Sequence, residues 1–353
     1  MDYFFALALT HLCERSLVSP GRPLRCILVV NPTAGRFTIK SKWDESVEIL
    51  KNIMEKTQDN PKRQIHKTVI LNLTDGEGSA KKITKVFIDK AEKEPIPFYL
   101  IISAGGDGTH CEVMQAVYEA SANVRSNMAV FRLPMGTGND NADSTSLEDA
   151  LGFLINPVKV EFSPAVRLTT AQNGSLSQKG PFLAFNILSV GLDAYVTHMT
   201  NKKRKSDDSY NRWLNIAALF YGCKYKIDNF IVNALDDKNN RVLSFKEKLL
   251  LLAMGVSGHR TYGRQQRILP DDYNVCGIKQ MPLFRKLAVK SLVTKGEHIN
   301  SSGVISFNAN RLEFSCRHRI LAQMDGETVL LKPDDFPAVM ELTSPIIPLL
   351  KKI

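Results

Sequence analysis

The chain has 353 residues, a length that predicts about two domains. Its hydrophobic fraction of 44% is ordinary for a globular protein and permits a sizeable core. No apolar run reaches the roughly 18 residues of a membrane-spanning helix, so none is expected. The formal charge of +10 favours anionic partners such as nucleotide phosphates, nucleic acid or an acidic membrane surface.

The cysteines and the N-terminal residues indicate the cellular compartment in which the protein is expected. The six cysteines include no Cys-x-x-Cys pair, which predicts reduced thiols in a cytosolic protein rather than disulfides or a zinc site. Residues 3–9 are apolar but short, and no basic residue precedes them, which argues against a signal peptide. They form either an N-terminal extension or helix packed on the domain, or a segment that touches a membrane.

Strands alternate with helices in the first 140 or so residues, a pattern that predicts a parallel, doubly wound sheet. The predicted strands are residues 26–30, 66–73, 98–104 and 129–133, and the predicted helices are residues 41–55, 80–91 and a segment from residue 109. Ligands of such sheets bind at the carboxyl ends of the strands. The loops at residues 31–36, 74–78, 105–109 and 134–140 are therefore expected along one edge.

The loop at residues 105–109 has the sequence Gly-Gly-Asp-Gly-Thr between a buried strand and a helix. Its glycines and the helix N-terminus favour an anion, although Asp107 would repel phosphate unless a metal ion or a hydroxyl lay between them. Thr109 and Glu112 have the spacing of a capping box, which predicts that the helix starts at Thr109. No Gly-Lys-Ser/Thr follows, and Cys111 replaces the third glycine of a dinucleotide fingerprint. The alternative is a tight turn without a ligand.

After about residue 148 the pattern changes to strands without regular helices between them, which predicts a separate, mostly antiparallel β domain. The predicted strands are residues 158–170, 181–190, 226–234, 246–255, 286–294, 304–308 and 311–316. Helical patterns occur at residues 194–200 and 213–221. The basic run at residues 202–205 is either a solvated charge run or a phospholipid contact.

Several motifs resemble those of the diacylglycerol kinase catalytic family, which includes bacterial lipid kinases, sphingosine kinases and ceramide kinases. These are Asn-Pro-Thr-Ala-Gly at residues 31–35, the loop at residues 105–109 with Glu112, Pro-Met-Gly-Thr-Gly-Asn-Asp at residues 134–140, the glycine-containing segment at residues 186–194, and Met-Asp-Gly-Glu at residues 324–327. They occur in the family's order from about residue 24 to the C-terminus, so together they are far more specific than any one alone.

The resemblance implies a fold and a domain division. The fold is an α/β nucleotide-binding domain with a parallel doubly wound sheet, plus a mostly antiparallel β-sandwich domain. The domains are an N-terminal extension at residues 1–23, the ATP-binding domain at 24–147, the β-sandwich at 148–320, and a C-terminal segment at 321–353 that returns to the first domain.

The resemblance also implies ATP between the two domains, Mg²⁺, and transfer of the γ-phosphoryl group to a lipid hydroxyl. Asp107 would reach the Mg²⁺, through water. Residues at the family's nucleotide-contacting positions are Asn31, Thr74, Gly105, Gly106, Asp107, Gly108, Thr109, Gly136, Thr137, Gly138 and Asn139. Asn139 would either bond the nucleotide or hold its own loop.

The base that accepts the proton of the lipid hydroxyl is Asp325 in this interpretation, with Glu327 as the orienting or alternate carboxylate. Asp-Gly is also a favoured pair in hairpin turns, and a tight turn can project a carboxylate, so the two interpretations are compatible. Two positions depart from the family. Arg264 replaces a glycine, and Cys276 falls where bacterial members carry an aspartate of a structural Mg²⁺ site, although a thiol is a poor ligand for that ion.

The sequence thus predicts an ATP-dependent lipid kinase of phospholipid biosynthesis that converts diacylglycerol to phosphatidic acid. The alternatives are a kinase for a sphingoid or other acceptor, and a non-catalytic nucleotide- or lipid-binding protein of the same fold. The expected partners are a lipid substrate at a membrane surface and an anionic membrane, with no nucleic acid and a possible homodimer. The expected location is cytoplasmic, with peripheral membrane association.

Overall fold

The structure is a computed structural model, and it describes residues 3–18, 21–63, 67–136, 139, 146–180, 182–202, 216, 221, 225–263 and 266–353. The chain divides into two compact units. The first comprises Met1–Ser163 with Pro345–Ile353, and the second comprises Pro164–Ser344. The C-terminal residues therefore belong to the same unit as the N-terminal ones.

The first unit is a six-stranded sheet with helices packed on it, in the strand order β2-β1-β3-β4-β19-β5. Its strands are β1 Leu24–Val30, β2 Lys67–Leu73, β3 Phe98–Gly105, β4 Met128–Pro134, β5 Val158–Ser163 and β19 Ile347–Lys352. Its helices are α1 Tyr3–Glu14, α2 Gly35–Thr38, α3 Lys40–Lys56, α4 Ser79–Lys93, α5 Asp107–Tyr118, α6 Ala122–Arg125 and α7 Leu147–Ile155. Strands β1 to β4 are parallel, and β19 runs parallel to β4 and antiparallel to β5.

The parallel strands end in register, which places the loops that follow them at one edge. Val30 lies opposite both Leu73 and Ala104, and Ala104 lies opposite Leu133. Strands β3 and β4 are buried along their whole length, as expected for strands covered by helices on both faces. The predicted α/β half of the fold class is confirmed, and the edge that it predicts for ligands carries the loops described below.

Helix α1 is part of the first unit's core rather than an exposed segment. Phe5, Ala8, Leu9 and Leu12 are fully buried and follow the helical spacing i, i+3, i+4 and i+7. The same cluster contains residues of β1, β3, β4 and α7. Of the two alternatives for the apolar N-terminal residues, the structure has the packed helix.

The second unit is built on an antiparallel sheet in the strand order β17-β16-β8-β10-β9-β15-β18-β6-β7, with β13 paired to β10 and β14. Its strands are β6 Val166–Thr169, β7 Phe182–Ala184, β8 Ile187–Gly191, β9 Asn229–Leu235, β10 Arg241–Gly255, β11 Arg260–Tyr262, β12 Gln266–Leu269, β13 Val275–Lys279, β14 Val304–Phe307, β15 Arg311–Ser315, β16 Ile320–Met324, β17 Glu327–Leu331 and β18 Ala338–Leu342. Helices α8 Leu192–Lys202 and α9 Leu283–Lys295 and the short 3₁₀ turns His298–Asn300 and Pro333–Asp335 complete the described part.

The long strand β10 belongs to both halves of this sheet. Its first part pairs with β9, and its last part pairs with β8 and β13. Apolar side chains from both halves, such as Val232, Leu252, Phe314 and Met324, share one buried cluster. Two halves packed over a common core confirm the antiparallel part of the predicted fold class.

Three predicted strands are wrong in detail. The predicted strand at residues 181–190 is two strands, β7 and β8, which pair with different neighbours. Residues 286–294 lie in helix α9, which Pro282 precedes and Gly296 ends in a left-handed conformation at φ +80°. Proline before a helix and glycine after it are its ordinary boundaries, and they outweigh the short apolar run. Residues 158–170 form two strands in different sheets, because Pro164 interrupts the ladder between β5 and β6.

Candidate functional site

Asn31 follows β1 and joins its loop to the loop after β3. The Asn31 amide donates to the Ala104 carbonyl at 2.9 Å, and its side-chain Nδ2 donates to Thr109 Oγ1 at 3.2 Å. Asn31 Oδ1 accepts from the amide and the hydroxyl of Thr33 at 3.0 and 2.8 Å. The Asn31 side chain therefore holds two of the predicted nucleotide loops together.

Helix α5 begins at Asp107, two residues before the position that the sequence predicts. Gly106 is its N-cap residue, with φ −86° and ψ −174°, an extended conformation that any residue can adopt. The first amides of a helix have no carbonyl partner within that helix, and its dipole is positive at this end. The loop from Gly105 to Thr109 thus has the backbone geometry of an anion-binding site.

The predicted capping box between Thr109 and Glu112 is wrong. The Glu112 carboxylate instead accepts hydrogen bonds from the amides of Gly78, Ala80 and Lys81, at 2.8, 2.9 and 3.4 Å. These amides lie at the N-terminus of α4, where carboxylate charge is favourable. Glu112 therefore caps the neighbouring helix and ties the loop after β2 to α5.

Asp107 is paired with an arginine that the sequence analysis missed. Arg132 Nη2 lies 2.9 Å from Asp107 Oδ1 and 3.4 Å from Asn139 Oδ1. The Arg132 side chain is only 2% exposed, and within the described part of the chain its Nε and Nη1 have no hydrogen-bond partner. The guanidinium neutralises the charge of the Asp107 carboxylate, which would otherwise repel a phosphate. A charged residue in the buried strand β4 was the signal in the sequence.

Gly106 and Gly136 bring the loops after β3 and β4 into contact. A Cβ on Gly136 would lie 2.4 Å from Gly106 Cα, whereas a Cβ on Gly106 would lie 3.8 Å from Gly136 Cα. Glycine at position 136 is therefore required for the packing of the two loops, and glycine at 106 is not. A Cβ on Gly105 would meet the Thr109 side chain at 2.6 Å, and one on Gly108 would point into open space.

Asn139 holds the loop after β4. Its backbone has φ 55°, its Oδ1 accepts from the Gly136 amide at 3.1 Å, and its Nδ2 donates to the Gly136 carbonyl at 2.8 Å. Of the two roles predicted for Asn139, the structure shows hydrogen bonds that hold its own loop. A hydrogen bond to a nucleotide stays a prediction. Thr137 and Gly138, which were also predicted to contact the nucleotide, lie outside the described residues.

Two further groups border this edge of the sheet. The Thr74 amide donates to the Val30 carbonyl at 2.8 Å, which places Thr74 at the end of β2, beside the loop after β1. His110 is buried, and burial together with the Arg132 charge holds the pKa of its imidazole well below the usual range. Its Nδ1 lies 2.8 Å from Ser103 Oγ, so His110 is a neutral group packed behind the loop.

In the second unit, Asp325 and Gly326 form the two-residue turn of the β16–β17 hairpin. Met324 pairs with Glu327, and both turn residues have left-handed φ values of 48° and 102°. Positive φ at both positions is the geometry for which Asp-Gly is favoured in hairpins. The predicted hairpin turn is therefore present, and Glu327 is exposed at the start of β17.

The Asp325 carboxylate faces back onto the chain rather than standing free at the turn. It accepts hydrogen bonds from the amides of Phe185, Asn186 and Ile187, the last two at 3.1 Å. An ionised carboxylate offers about four acceptor positions, so most of them are used here. Asp325 thus fixes the segment that leads into β8.

An apolar pocket lies in the second unit beside α9. Its cavity volume is about 80 Å³, and the space between its walls, including the part open to solvent, is about 680 Å³. Apolar side chains form most of the lining, and polar groups are few. The lining residues are Leu192, Asp193, Leu250, Leu251, Tyr262, Gln266, Ile268, Ile278, Met281, Lys286, Val289, Lys290 and Val293. An apolar cavity with a few polar groups is the usual form of a small-molecule site.

Asp193 is the buried carboxyl group of this pocket. Burial raises the pKa of the Asp193 side chain to about 6, and the Ser189 hydroxyl, which donates to Oδ2, partly offsets that rise. Oδ1 is buried and has no hydrogen-bond partner of ordinary geometry within the described residues, while the Ala194 amide and the Tyr262 side chain lie close enough to the carboxylate to lower its pKa. Asp193 lies in the glycine-containing segment that the sequence analysis recognised but was not among the predicted site residues.

The described residues contain no group of three or more His, Cys, Asp or Glu side chains that could hold a metal ion. Cys276 is buried in β13 with its sulfur 3.8 Å from His298 Nε2, and burial raises the pKa of this thiol to about 12. A neutral thiol is unsuited to Mg²⁺. Among the helices of the described residues, none is both long and apolar enough to cross a membrane.

Comparison with known proteins agrees with the motifs. Residues 25–161 match the Diacylglycerol kinase catalytic domain family. Over 320 residues the chain is 24% identical to a diacylglycerol kinase of Bacillus subtilis (strain 168), covering 88% of this chain and 92% of the relative. It is 25% identical to a protein of Enterobacter sp. (strain 638) named "Probable lipid kinase YegS-like", covering 64% of this chain and 71% of the relative.

The fold agrees as well. A diacylglycerol kinase structure from Bacillus anthracis superposes with a TM-score of 0.57 and 14% identity, covering 93% of this chain and 97% of that one. At this identity the likeness concerns the fold alone.

Proposed function

Because residues 25–161 belong to the diacylglycerol kinase catalytic domain family, we propose that the chain is an ATP-dependent kinase that phosphorylates the free hydroxyl of diacylglycerol to give phosphatidic acid. The observation that carries this proposal is the meeting of Gly106 and Gly136 at one sheet edge, beside the N-terminus of α5. Main-chain amides and a helix terminus are what a phosphoryl group needs for positioning and charge stabilisation.

The nucleotide would bind on the loops of the first unit. The amides that open α5 would meet its phosphates, and Gly108 leaves open space where a side chain would stand. Asn31, Thr74 and Thr109 would supply polar contacts near the same edge. Gly105, Gly136 and Asn139 would keep the loops in shape, and Thr137 and Gly138 complete the proposed set.

Asp107 would hold Mg²⁺ in this proposal. Magnesium accepts one or two carboxylates together with water and substrate phosphates, so a single aspartate is compatible with it. Arg132 already contacts Asp107 Oδ1, and a guanidinium is itself a partner for phosphate. The ion would supply further neutralisation of the charge on the transferred group. Arg132 would keep the carboxylate oriented.

Asp325 is the proposed base for the lipid hydroxyl, with Glu327 as the orienting or alternate carboxylate. Three backbone amides hold the Asp325 carboxylate in one orientation, which favours proton transfer along a defined direction. As a base, Asp325 would have to give up or share one of these hydrogen bonds when it accepts the proton of the lipid hydroxyl.

The pocket beside α9 would take the acceptor lipid. Its apolar walls suit acyl chains, and the buried Asp193 Oδ1 without a partner suits a hydroxyl donor of the lipid head. An ammonium group would also satisfy this oxygen, so Asp193 supports a sphingoid base as the second candidate acceptor.

The test is transfer from γ-labelled ATP by purified protein to a panel of lipids in mixed micelles. Label in phosphatidic acid, above that in sphingoid or ceramide products, is the expected result. Label in another lipid would reassign the acceptor. ATP binding without transfer to any lipid would favour the non-catalytic alternative, for which the occupied carboxylates of Asp107 and Asp325 are the supporting observation.

A further inference from the structure

Helix α9 exposes three apolar side chains that are not among those of the two buried clusters described for the second unit. Leu283, Phe284 and Leu287 are 45%, 71% and 44% exposed, and Val289 is the one buried residue of this thirteen-residue helix. Scattered exposed apolar residues are ordinary, but these three share the first two turns of one helix. We call Leu283, Phe284 and Leu287 the α9 apolar face.

The three exposed apolar side chains lie on one side of the first two turns of the helix. At about 100° per residue, the three apolar side chains span an arc of about 100°, whereas Val289 points to the opposite side. The helix carries four basic residues and no acidic one: Arg285, Lys286, Lys290 and Lys295. Of these, Lys290 and Lys295 flank the apolar arc, each about 20° beyond one of its edges, whereas Arg285 and Lys286 lie toward the side of Val289. Exposed apolar residues with flanking basic ones, in a chain of net charge +10, are complementary to the apolar interior and negative surface of an anionic bilayer.

We propose that the α9 apolar face is a docking surface for an anionic lipid membrane, into which Leu283, Phe284 and Leu287 insert while the flanking basic residues contact lipid headgroups. The predicted phospholipid contact at residues 202–205 lies outside the described residues, except for Lys202.

Helix α9 also forms a wall of the apolar pocket. Lys286, Val289, Lys290 and Val293 line that pocket, while the α9 apolar face lies on the same helix outside it. Docking by α9 would bring the pocket to the surface in which the acceptor lipid is dissolved. In this respect the inference rests on the proposed function, because the docked lipid is also the proposed substrate.

Vesicle binding of single variants tests the docking surface. Full-length Phe284→Ser should bind phosphatidylcholine vesicles containing phosphatidylserine about tenfold or more weakly, the scale expected for losing one inserted aromatic side chain. Ile96→Ser is the matched control, since Ile96 is 74% exposed in the first unit and should leave binding unchanged. Lys295→Gln should reduce binding about fivefold, and only to vesicles with phosphatidylserine, whereas the exposed Lys238→Gln should not.

Insertion itself is measurable by fluorescence. In Phe284→Trp, addition of the anionic vesicles should shift the emission to shorter wavelength, and lipids brominated on their acyl chains should quench it. Ile96→Trp should show neither effect. If Phe284→Trp responds no more than Ile96→Trp, the α9 apolar face does not enter the bilayer and the proposal is overturned. A shift that follows protein concentration without vesicles would instead identify a second copy as the occupant, which also overturns it.

Kinase assays separate this inference from the proposed function. Phe284→Ser should keep wild-type transfer to a short-chain, water-soluble diacylglycerol and lose it on vesicles. Wild-type vesicle binding without transfer to any acceptor would leave the docking surface standing and refute the kinase. Transfer to both substrates by Phe284→Ser at wild-type rates would refute the docking surface and leave the kinase standing.

Discussion

Gly106 and Gly136 face each other across the two loops, yet alanine at the two positions should have opposite consequences. In Gly106→Ala the new Cβ lies 3.8 Å from Gly136 Cα, an ordinary van der Waals distance, and the backbone is extended. In Gly136→Ala it lies 2.4 Å from Gly106 Cα, where carbon atoms need about 3.5 Å or more. The first variant should fold normally, and the second should not pack without a shift of the loop.

The magnitudes follow from these distances. Replacing an N-cap glycine by alanine should cost Gly106→Ala about 0.5–1 kcal/mol of the free energy of unfolding. Overpacking should cost Gly136→Ala about 1–3 kcal/mol. If ATP phosphates contact the amides at the start of α5, the Cβ of Gly106→Ala removes one or two charge-assisted hydrogen bonds. This should weaken ATP binding by roughly tenfold to a hundredfold.

The assay pairs chemical denaturation with calorimetric titration of ATP in the presence of Mg²⁺. Gly108→Ala is a useful third variant, because its Cβ meets nothing in the protein and any loss of ATP affinity would come from the ligand. Unchanged ATP affinity in a stable Gly106→Ala protein would refute the phosphate-loop assignment. Unchanged stability of Gly136→Ala would refute the steric argument.

The remaining predictions concern three carboxyl side chains, those of Glu112, Asp193 and Asp325. In Glu112→Gln, a side-chain NH₂ group replaces a carboxylate oxygen next to the backbone amides at the start of α4. The free energy of unfolding, measured by urea titration, should fall by about 1–3 kcal/mol. No change would mean that water caps α4 equally well. Asp193, whose pKa is raised from 3.8 to about 6, contributes stability that is present below about pH 4 and lost as the pH rises through 6. Above pH 6 the free energy of unfolding of Asp193→Asn should therefore exceed that of wild type by on the order of 3 kcal/mol, and below pH 4 the two should be equal. A difference that does not change with pH would contradict this prediction. Asp325→Asn should retain its ATP affinity in calorimetry, and its turnover should fall by about two to four orders of magnitude. The loss of turnover in Glu327→Gln should be smaller. Near-wild-type turnover of Asp325→Asn would mean that Asp325 has only a structural role in the turn.

The sequence predicted the elements whose local pattern and tertiary environment agree. Strands β1, β3 and β4 are apolar on both faces because helices cover both faces of the sheet, and breaker-rich loops follow them. The Asp325-Gly326 turn was also predictable, since its conformation is set by two residues. These features need no knowledge of distant parts of the chain.

The features that escaped prediction depend on a distant partner. Glu112 has the spacing that predicts capping of its own helix, but its carboxylate accepts hydrogen bonds from amides more than thirty residues away in the sequence. Arg132 shows only as a charge in an apolar strand, and nothing local indicates Asp107, twenty-five residues earlier, as its partner. Asp193 became a candidate only when the pocket was seen to surround it. Tertiary contacts decided these cases, and one sequence does not specify them.

Strand β19 has a consequence for how the protein is made. Leu349 pairs with Val130 of β4, and β5 finds its ladder partner in β19, from Ile347 opposite Ser163 to Lys352 opposite Val158. During synthesis, nearly two hundred further residues must be added after β5 before β19, its partner in the sheet, has been made. Closing the first sheet is therefore a late event that depends on contacts of very long sequence separation, which makes folding slow. A nascent chain stopped before residue 347 would present the open edges of β4 and β5 to chaperones and to other chains.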